Sequence, residues 1–211
     1  MPEQQSILKA KYPILLFIAV MLVTFGIIIM AAGRATSFRM LTPFHHYTTD
    51  FFFQNITHLG DGIFILALAA ILAIRKNYFL SLGIVAGYLL SGLFAQLGKR
   101  LLNAPRPKAF FEAMGERVYE VPGLDVHLAG SFPSGHTASA FALAVFLICA
   151  LPKKSLHWLI LLGACLVGYS RVYLSQHFPV DVFAGAVIGS LSGWAVFLFL
   201  EKRNLRGGKF D

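Results

Sequence analysis

The chain has 211 residues, of which 57% are hydrophobic and 13% are charged. This composition is too apolar for a soluble domain of that length and indicates an integral membrane protein, which we expect to form a single domain over residues 1–211. The formal net charge of +8 does not indicate a nucleic-acid-binding protein, because Lys and Arg lie in short clusters between apolar runs and form no basic stripe.

Six apolar segments are predicted to cross the membrane. The first, residues 13–32, contains no charge. It is longer than the apolar core of a signal peptide and other apolar segments follow it, so we expect an uncleaved helix. The second follows Gly62 and ends at Ile74, and the others are predicted at residues 78–97, 134–151, 157–176 and 180–200. Cys149 and Cys165 fall within these segments and are expected to be small core residues.

Two other stretches differ from these spans. Residues 42–55 mix aromatic and polar side chains, which is typical of a helix that lies in the membrane interface. Residues 100–132 are polar and are predicted to form one long extramembrane loop. The predicted fold is therefore all-α: a six-transmembrane-helix bundle with an interfacial amphipathic helix.

Three polar clusters stand at the ends of the predicted spans. Tracing the chain from span to span places all three on one side of the membrane, although their chemistry was not used to assign the topology. Charged residues and histidines are costly near a bilayer and usually mark function. The clusters are Lys99 with Arg106, the run Ser134-Gly135-His136, and Arg171 with His177 and Asp181.

The distribution of basic residues indicates the orientation. The face opposite the clusters carries ten Lys and Arg residues, against five on the cluster face once the three basic cluster residues are set aside. Positive residues favour the cytoplasmic side, so we expect the clusters on the extracytoplasmic face. The short loops are typical of a bacterial protein and point to the cytoplasmic (inner) membrane. No feature of the sequence indicates an oligomeric state.

The first two clusters suit a phosphate ligand. Lys99 offers a compact charge, and Arg106 offers a planar fork of donors that matches phosphate oxygens. Ser134 and Gly135 open a helix, where free backbone N–H groups and the helix dipole attract anions. His136 could donate a proton to a departing oxygen. The alternatives are ordinary basic residues that extend to the headgroups and a plain serine helix cap.

The third cluster adds a candidate nucleophile. Asp181 lies four residues after His177 and could hold one ring nitrogen, which leaves the other free to attack phosphorus and form a phosphohistidine. Arg171 would help the other basic residues to stabilise the transferred phosphoryl group. One alternative is a structural His–Asp pair that closes a tight loop. Another is a zinc site formed by Asp181 and the two histidines, which the surrounding cations disfavour.

This three-part pattern resembles the signature of the type 2 phosphatidic acid phosphatase superfamily, which includes membrane lipid phosphatases and soluble haloperoxidases. The signature positions are matched by Lys99, by Arg106-Pro107, by Pro133-Ser134-Gly135-His136, by Ser170-Arg171, and by His177 and Asp181. The resemblance implies that His177 is the nucleophile, Asp181 its orienting partner and His136 the acid for the leaving group. It assigns phosphate binding to Lys99, Arg106, Ser134, Gly135 and Arg171, with no metal and no cofactor.

The implied activity is hydrolysis of a lipid phosphate or diphosphate in the bilayer. Polyprenyl diphosphate, phosphatidylglycerol phosphate, phosphatidate and lipid A phosphate are the candidate substrates, and the sequence does not choose among them. The alternatives are a lipid phosphotransferase and a transporter whose basic pocket only binds. Asp61 is interpreted as a helix cap rather than a pocket residue, and the aromatic stretch could either admit lipid sideways or simply pack.

Overall fold

The computed structural model describes residues 2–42 and 44–203, with side chains from residue 11 onward, and these residues form α-helices joined by short turns and one long loop. Within this part of the chain there is no strand, which agrees with the all-α prediction. A short 3₁₀ turn spans Thr57–Gly60. The helices are α1 (Pro2–Ala32), α2 (Arg34–Leu41), α3 (Tyr47–Ile56), α4 (Gly62–Ile74), α5 (Tyr78–Leu102), α6 (Pro107–Glu112), α7 (Gly135–Ala150), α8 (Lys154–Tyr173) and α9 (Pro179–Lys202).

Polar residues at the helix ends set where several apolar helices begin and stop. The Asp61 side chain accepts a hydrogen bond from the backbone N–H of Ile63 at 2.9 Å and caps α4. The Asn77 side chain accepts one from the N–H of Leu80 at 3.2 Å and caps α5. At the other end of α5, Asn103 adopts a left-handed conformation with φ 36°, which Asn tolerates better than most residues. These caps satisfy terminal backbone groups that the apolar runs cannot.

Helix α7 lies at the centre of the bundle. Twelve of its sixteen residues are buried, where α5, α8 and α9 pack around it. The closest partner is α9, which presents Gly189 and Gly193 to the α7 backbone. A Cβ added at Gly189 would lie 2.2 Å from the carbonyl oxygen of Ala138, and one at Gly193 would lie 2.3 Å from that of Ala142. The two helices therefore touch backbone to backbone, which only glycine permits at these positions.

The structure refines the predicted elements. Every apolar segment forms a helix, but two short helices, α2 and α6, lie in stretches where none was predicted. The predicted interfacial helix 42–55 is shifted to α3, and residue 43 lies outside the described part. The predicted fifth span, 157–176, begins earlier and ends at Tyr173, because Ser175 has a φ of 54° that is incompatible with a continuing helix.

The predicted number of six spans is not confirmed. Four helical stretches in the described chain are long and apolar enough to cross a membrane, at Lys11–Ala32, Tyr78–Glu112, Lys154–Tyr173 and Pro179–Lys202. A fifth arises if Tyr47–Gly60 and Gly62–Ile74, which meet at an angle of 54°, form one broken span. Helix α7 has only 16 residues, or about 24 Å at 1.5 Å per residue, against a hydrocarbon core of about 30 Å.

The two ends of the bundle carry different side-chain contacts. At one end the guanidinium of Arg34, which follows α1, donates to the carbonyl oxygen of Pro105 at 2.6 Å. At the opposite end the buried Nζ of Lys11 lies 3.0 Å from Nε2 of His157. The three polar clusters all lie at the Arg34 end, so the predicted convergence on one side of the bundle is observed. Cys149 is buried in the main apolar core, and Cys165 packs against it.

Helix α3 is fastened to this same end. The carboxylate of Asp50, which is buried, accepts hydrogen bonds from the hydroxyl groups of Tyr119 at 2.7 Å and Tyr173 at 2.6 Å. Tyr119 belongs to the long loop and Tyr173 to α8, so one carboxylate joins three parts of the chain. Phe51 and Phe52 of the same helix are exposed, which suits a helix lying against lipid.

Candidate active site

Five helix ends, including the start of α6 at Arg106, and one turn bring the predicted site residues together. Lys99 lies in the last turns of α5, Ser134 caps α7, and Arg171 lies in the last turn of α8. The Nζ of Lys99 is 3.8 Å from where a Cβ on Gly135 would stand. The backbone N–H of Ser134 donates to the carbonyl oxygen of Asp181 at 3.0 Å, which joins the starts of α7 and α9.

The candidate nucleophile, His177, lies in the turn between α8 and α9 and is 2% exposed. Its Nδ1 is 2.7 Å from the carbonyl oxygen of Ser131. A carbonyl oxygen can only accept, so Nδ1 carries the proton and Nε2 carries the free lone pair. The backbone N–H of His177 donates to the carbonyl oxygen of Arg171 at 3.0 Å. The ring is thus fixed in the tautomer that leaves Nε2 available for attack on phosphorus.

Asp181 supports this arrangement in a different way from the one expected. Its Oδ2 is 3.6 Å from Nδ1 of His177, and the nearer partner of that nitrogen is the Ser131 carbonyl. The same Oδ2 accepts hydrogen bonds from the hydroxyl of Ser131 at 2.5 Å and from the backbone N–H of Phe178 at 2.9 Å. Asp181 therefore joins the Ser131 segment to the His177 turn through these hydrogen bonds. Its negative charge lies on the Nδ1 side of the His177 ring.

Burial keeps His177 neutral. Desolvation lowers the pKa of His177 to about 4, the nearby Asp181 carboxylate acts in the opposite direction, and the positive charges of Arg171 and Arg106 lower it further. The imidazole is therefore uncharged at neutral pH, which is the form that a nucleophile requires.

The two arginines of the site are held by different hydrogen-bond acceptors: a hydroxyl for Arg171, and a carbonyl and a side-chain amide for Arg106. Arg171 donates from Nη1 to the hydroxyl of Thr57 at 2.8 Å, while its buried Nε has no hydrogen-bond partner among the described residues. Arg106 donates from Nε to the carbonyl oxygen of Ala129 at 3.0 Å and from Nη1 to the Gln176 side chain at 2.7 Å. Two fixed guanidinium groups close to the His177 turn make a strongly electropositive pocket suited to a phosphate.

The amino terminus of α7 forms the other wall. The Ser134 hydroxyl accepts hydrogen bonds from the backbone N–H and the hydroxyl of Thr137, at 3.4 and 2.9 Å, and so caps the helix. The serine cap, which the sequence offered as an alternative to a phosphate site, is therefore observed. Gly135 follows with no side chain between the helix start and Lys99, which lets an oxyanion approach the backbone closely.

His136 lines a cavity of about 610 Å³ that opens beside α4 and α5. The carboxylate of Asp61 faces it, with Oδ2 at 3.9 Å from Nε2 of His136. The predicted cap role of Asp61 is confirmed by its bond to Ile63, but Asp61 lines this cavity as well. Asp61 is therefore both a helix cap and a pocket residue, whereas the sequence favoured the cap alone.

Three residues of the site were not predicted from the sequence. Ser131 orients His177 and binds Asp181, Gln176 binds Arg106, and Thr57 binds Arg171. Ser131 and Gln176 each stand close to a predicted motif, and this proximity is the only signal that could have identified them. Thr57 gives no such signal, because it lies over 100 positions before its partner.

Replacing Ser131 tests this support directly. We expect Ser131→Ala to lower kcat by about tenfold to a hundredfold, because Asp181 loses a buried donor while the carbonyl that holds His177 remains. The measurement is phosphate release from a lipid phosphate by the purified protein, which is the activity that the resemblance implies. Ser155→Ala, at the opposite end of the bundle, is the matched control and should keep full activity. An unchanged rate in Ser131→Ala would show that Asp181 does not need this donor.

Comparison with known proteins places this geometry in a family. The PAP2 superfamily description matches residues 80–205, which is more than half of the chain. The chain belongs to the PAP2 superfamily. The match begins near the start of α5 and extends past α9, so it includes Lys99, His136 and His177 and confirms the resemblance seen in the sequence.

Individual relatives differ in their named substrates. The chain is 44% identical over 75 residues to lipid A 4'-phosphatase of Bacteroides thetaiotaomicron, which covers 36% of this chain and 33% of that protein. It is 30% identical over 144 residues to undecaprenyl-diphosphatase of Sulfolobus acidocaldarius, covering 67% and 64%. The chain thus spans between about a third and two thirds of the length of these curated PAP2 relatives.

A solved PAP2 structure covers almost the whole chain. The crystal structure of a transmembrane PAP2-type phosphatidylglycerolphosphate phosphatase from Bacillus subtilis has a TM-score of 0.66 and 25% identity, covering 95% of this chain and 98% of that one. The likeness extends over the helices outside the matched PAP2 segment, including α1 to α4. It supports an integral membrane protein of the same architecture.

Proposed function

We propose that this PAP2 protein is a metal-independent membrane phosphatase that hydrolyses a lipid phosphate or diphosphate through a phosphohistidine intermediate. The observation that carries the proposal is the buried His177, whose Nδ1 is bound by a backbone carbonyl so that Nε2 is free, in a pocket with Arg106 and Arg171. Such an arrangement combines a neutral nucleophile with fixed positive charge for the phosphoryl group.

In the proposed mechanism, Nε2 of His177 attacks phosphorus and the bond from phosphorus to the lipid oxygen breaks. His136 gives its proton to that oxygen, and the lipid leaves as an alcohol from a monoester or as a lipid monophosphate from a diphosphate. A water molecule then gives a proton to His136 and attacks the phosphohistidine, which releases inorganic phosphate and restores the free imidazole. Asp181 supports the charge that develops on the His177 ring, and the basic residues with the start of α7 stabilise the phosphoryl oxygens.

The proposed setting is the cytoplasmic (inner) membrane of a bacterium, with the site on the extracytoplasmic face. The excess of Lys and Arg on the opposite face supports this orientation. We propose six membrane crossings, in which α4 and α7 are short spans and α7 is buried by its neighbours. Helix α7 supports this count, because its ends lie level with those of the helices around it: its start meets α9 at Asp181, and Leu151 beyond its end meets Lys11 of α1.

The substrate classes that fit are polyprenyl diphosphate, phosphatidylglycerol phosphate, phosphatidate and lipid A phosphate. All of them present a terminal phosphate on a lipid, and a cavity of about 610 Å³ beside α4 and α5 leads to Lys99 and His136. Leu89 and Leu93 line the same cavity and are exposed, so it is apolar on the side where a lipid tail would lie.

The proposed activity is tested by phosphate release from these four lipids in detergent, with and without a chelator. We expect release to persist in chelator, because the pocket supplies positive charge from its own side chains, and to be inhibited by vanadate, which mimics the phosphoryl group in transfer. Labelled donor lipid with acceptor lipids separates hydrolysis from phosphotransfer. Loss of all activity in chelator, or lipid flux into liposomes without phosphate release, would contradict the proposal.

A further inference from the structure

Asp61 is placed to do more than cap a helix. One carboxylate oxygen, Oδ1, accepts the N–H of Ile63, while the other, Oδ2, points to Nε2 of His136 at 3.9 Å. Both side chains are 35% exposed, so this pair stands at the wall of a cavity and not in the packed core. A negative charge in a pocket that binds an anion needs an explanation, since it opposes the basic residues around it.

The cavity lies on the leaving-group side of the reaction. It is lined by Lys99, Gly135, His136 and Asp61, whereas His177 and Arg171 do not line it. In phosphoryl transfer the attacking and leaving atoms stand roughly in line on opposite sides of phosphorus. With His177 attacking from the buried side, the leaving oxygen points into this cavity. The first atoms of the lipid beyond that oxygen therefore pass Asp61.

Resting on the proposed function, we infer that Asp61 makes this protein select lipid phosphomonoesters over lipid diphosphates. In a monoester the group next to the leaving oxygen is an uncharged carbon of glycerol or sugar. In a diphosphate it is a second phosphate group, with at least one negative charge, close to a carboxylate. The repulsion between these charges disfavours the diphosphate both on binding and as it leaves.

The arginines of the pocket make their hydrogen bonds away from the cavity that Asp61 lines, although the charge of Arg171 still acts on Asp61 from a distance. Arg106 is bound to the Gln176 side chain and Arg171 to the Thr57 hydroxyl, both on the buried side of the site. Among the described residues that line the cavity, Lys99 is the one basic side chain, and it also faces Gly135 at the phosphoryl position. A second phosphate next to Asp61 would thus lack a dedicated cation.

The leaving groups also differ in what they need from His136. An alcohol departs poorly unless it receives a proton, whereas a phosphate group is a good leaving group without one. The Asp61 carboxylate next to the His136 ring stabilises the charged ring that delivers the proton, while burial and the charges of Arg171 and Lys99 oppose that form. Asp61 thus assists cleavage of the monoester, whose alcohol needs a proton to leave. It repels the diphosphate, whose leaving group needs none.

The test is Asp61→Asn, which keeps an oxygen to cap α4 and removes only the charge. We expect wild-type kcat/KM to be higher for phosphatidylglycerol phosphate and phosphatidate than for farnesyl diphosphate. In Asp61→Asn we expect the ratio of monoester to diphosphate kcat/KM to fall at least tenfold. Glu112→Gln, which removes an exposed carboxylate at the same end of the bundle, is the matched control and should leave the ratio unchanged.

Two outcomes would overturn the inference: a wild-type preference for the diphosphate, or a ratio that falls less than tenfold in Asp61→Asn, including an equal loss on both substrates. Failure of the proposed function gives a different result. In that case no substrate of the panel releases phosphate in the wild-type protein, and no ratio can be formed.

Discussion

His177→Ala is expected to abolish turnover, with a decrease in kcat of at least about 1,000-fold on every lipid phosphate that the wild-type protein hydrolyses. The substitution removes the atom that would bond to phosphorus, and no other histidine described in the structure is held by the Ser131 carbonyl. The measurement is phosphate release, together with trapping of an acid-labile phosphoenzyme from labelled substrate, which should disappear.

A second variant separates chemistry from folding. Because His177 is buried, its removal leaves a cavity that alone could unfold the site. His177→Asn keeps a side-chain N–H that can reach the Ser131 carbonyl, and it should be stable but equally inactive. His127→Ala, which alters an exposed histidine of the long loop, should retain full activity. A labelled phosphoenzyme in folded His177→Asn would assign the nucleophile to another residue.

Gly189→Ala is expected to destabilise the bundle. The added Cβ would lie 2.2 Å from the Ala138 carbonyl oxygen and 2.9 Å from the Ala142 backbone nitrogen, and neither backbone can yield without moving α7. Overpacking of this kind costs about 1–3 kcal/mol. In a chain of this size, that corresponds to a decrease in Tm of roughly 2–12 °C. Thermal unfolding in detergent, followed by near-ultraviolet circular dichroism, measures the change.

The matched control is Gly163→Ala. Gly163 also lies within a helix, α8, but a Cβ there would meet no atom within 4 Å. Alanine favours helix over glycine by about 0.5–1 kcal/mol, so this variant should unfold at the same temperature or slightly higher. Equal Tm values for the two variants would show that α7 and α9 can separate without cost, contrary to their backbone contact.

The helices and the convergence of the site were predictable because their signals are local. Apolar runs mark the long helices, and alternate crossing then forces Lys99, His136 and His177 to one end. In the structure these three residues do lie at one end of the bundle. The span count was less predictable, because a short helix such as α7 can be buried by its neighbours and hydropathy alone does not distinguish burial in protein from burial in lipid.

The supporting contacts were not predictable for a different reason. The partner of His177 is a backbone carbonyl, which every residue possesses, so Ser131 carries no sequence signal for that role. Thr57 and Arg171 meet only because the 3₁₀ turn packs against α8, a contact that depends on the whole fold. Helices α2 and α6 are short, with 8 and 6 residues, and lack the periodic pattern that longer elements show.

The central position of α7 has a consequence for biosynthesis. The start of this helix forms one wall of the phosphate pocket, yet its largest packing partner is α9, which the ribosome makes later than α7 and α8. Until α9 emerges, the backbone of α7 lacks the glycine face that covers it, and the site lacks Asp181. A chain that stops before α9 is therefore expected to lack an assembled phosphate pocket, so the proposed activity should arise only after α9 has been made.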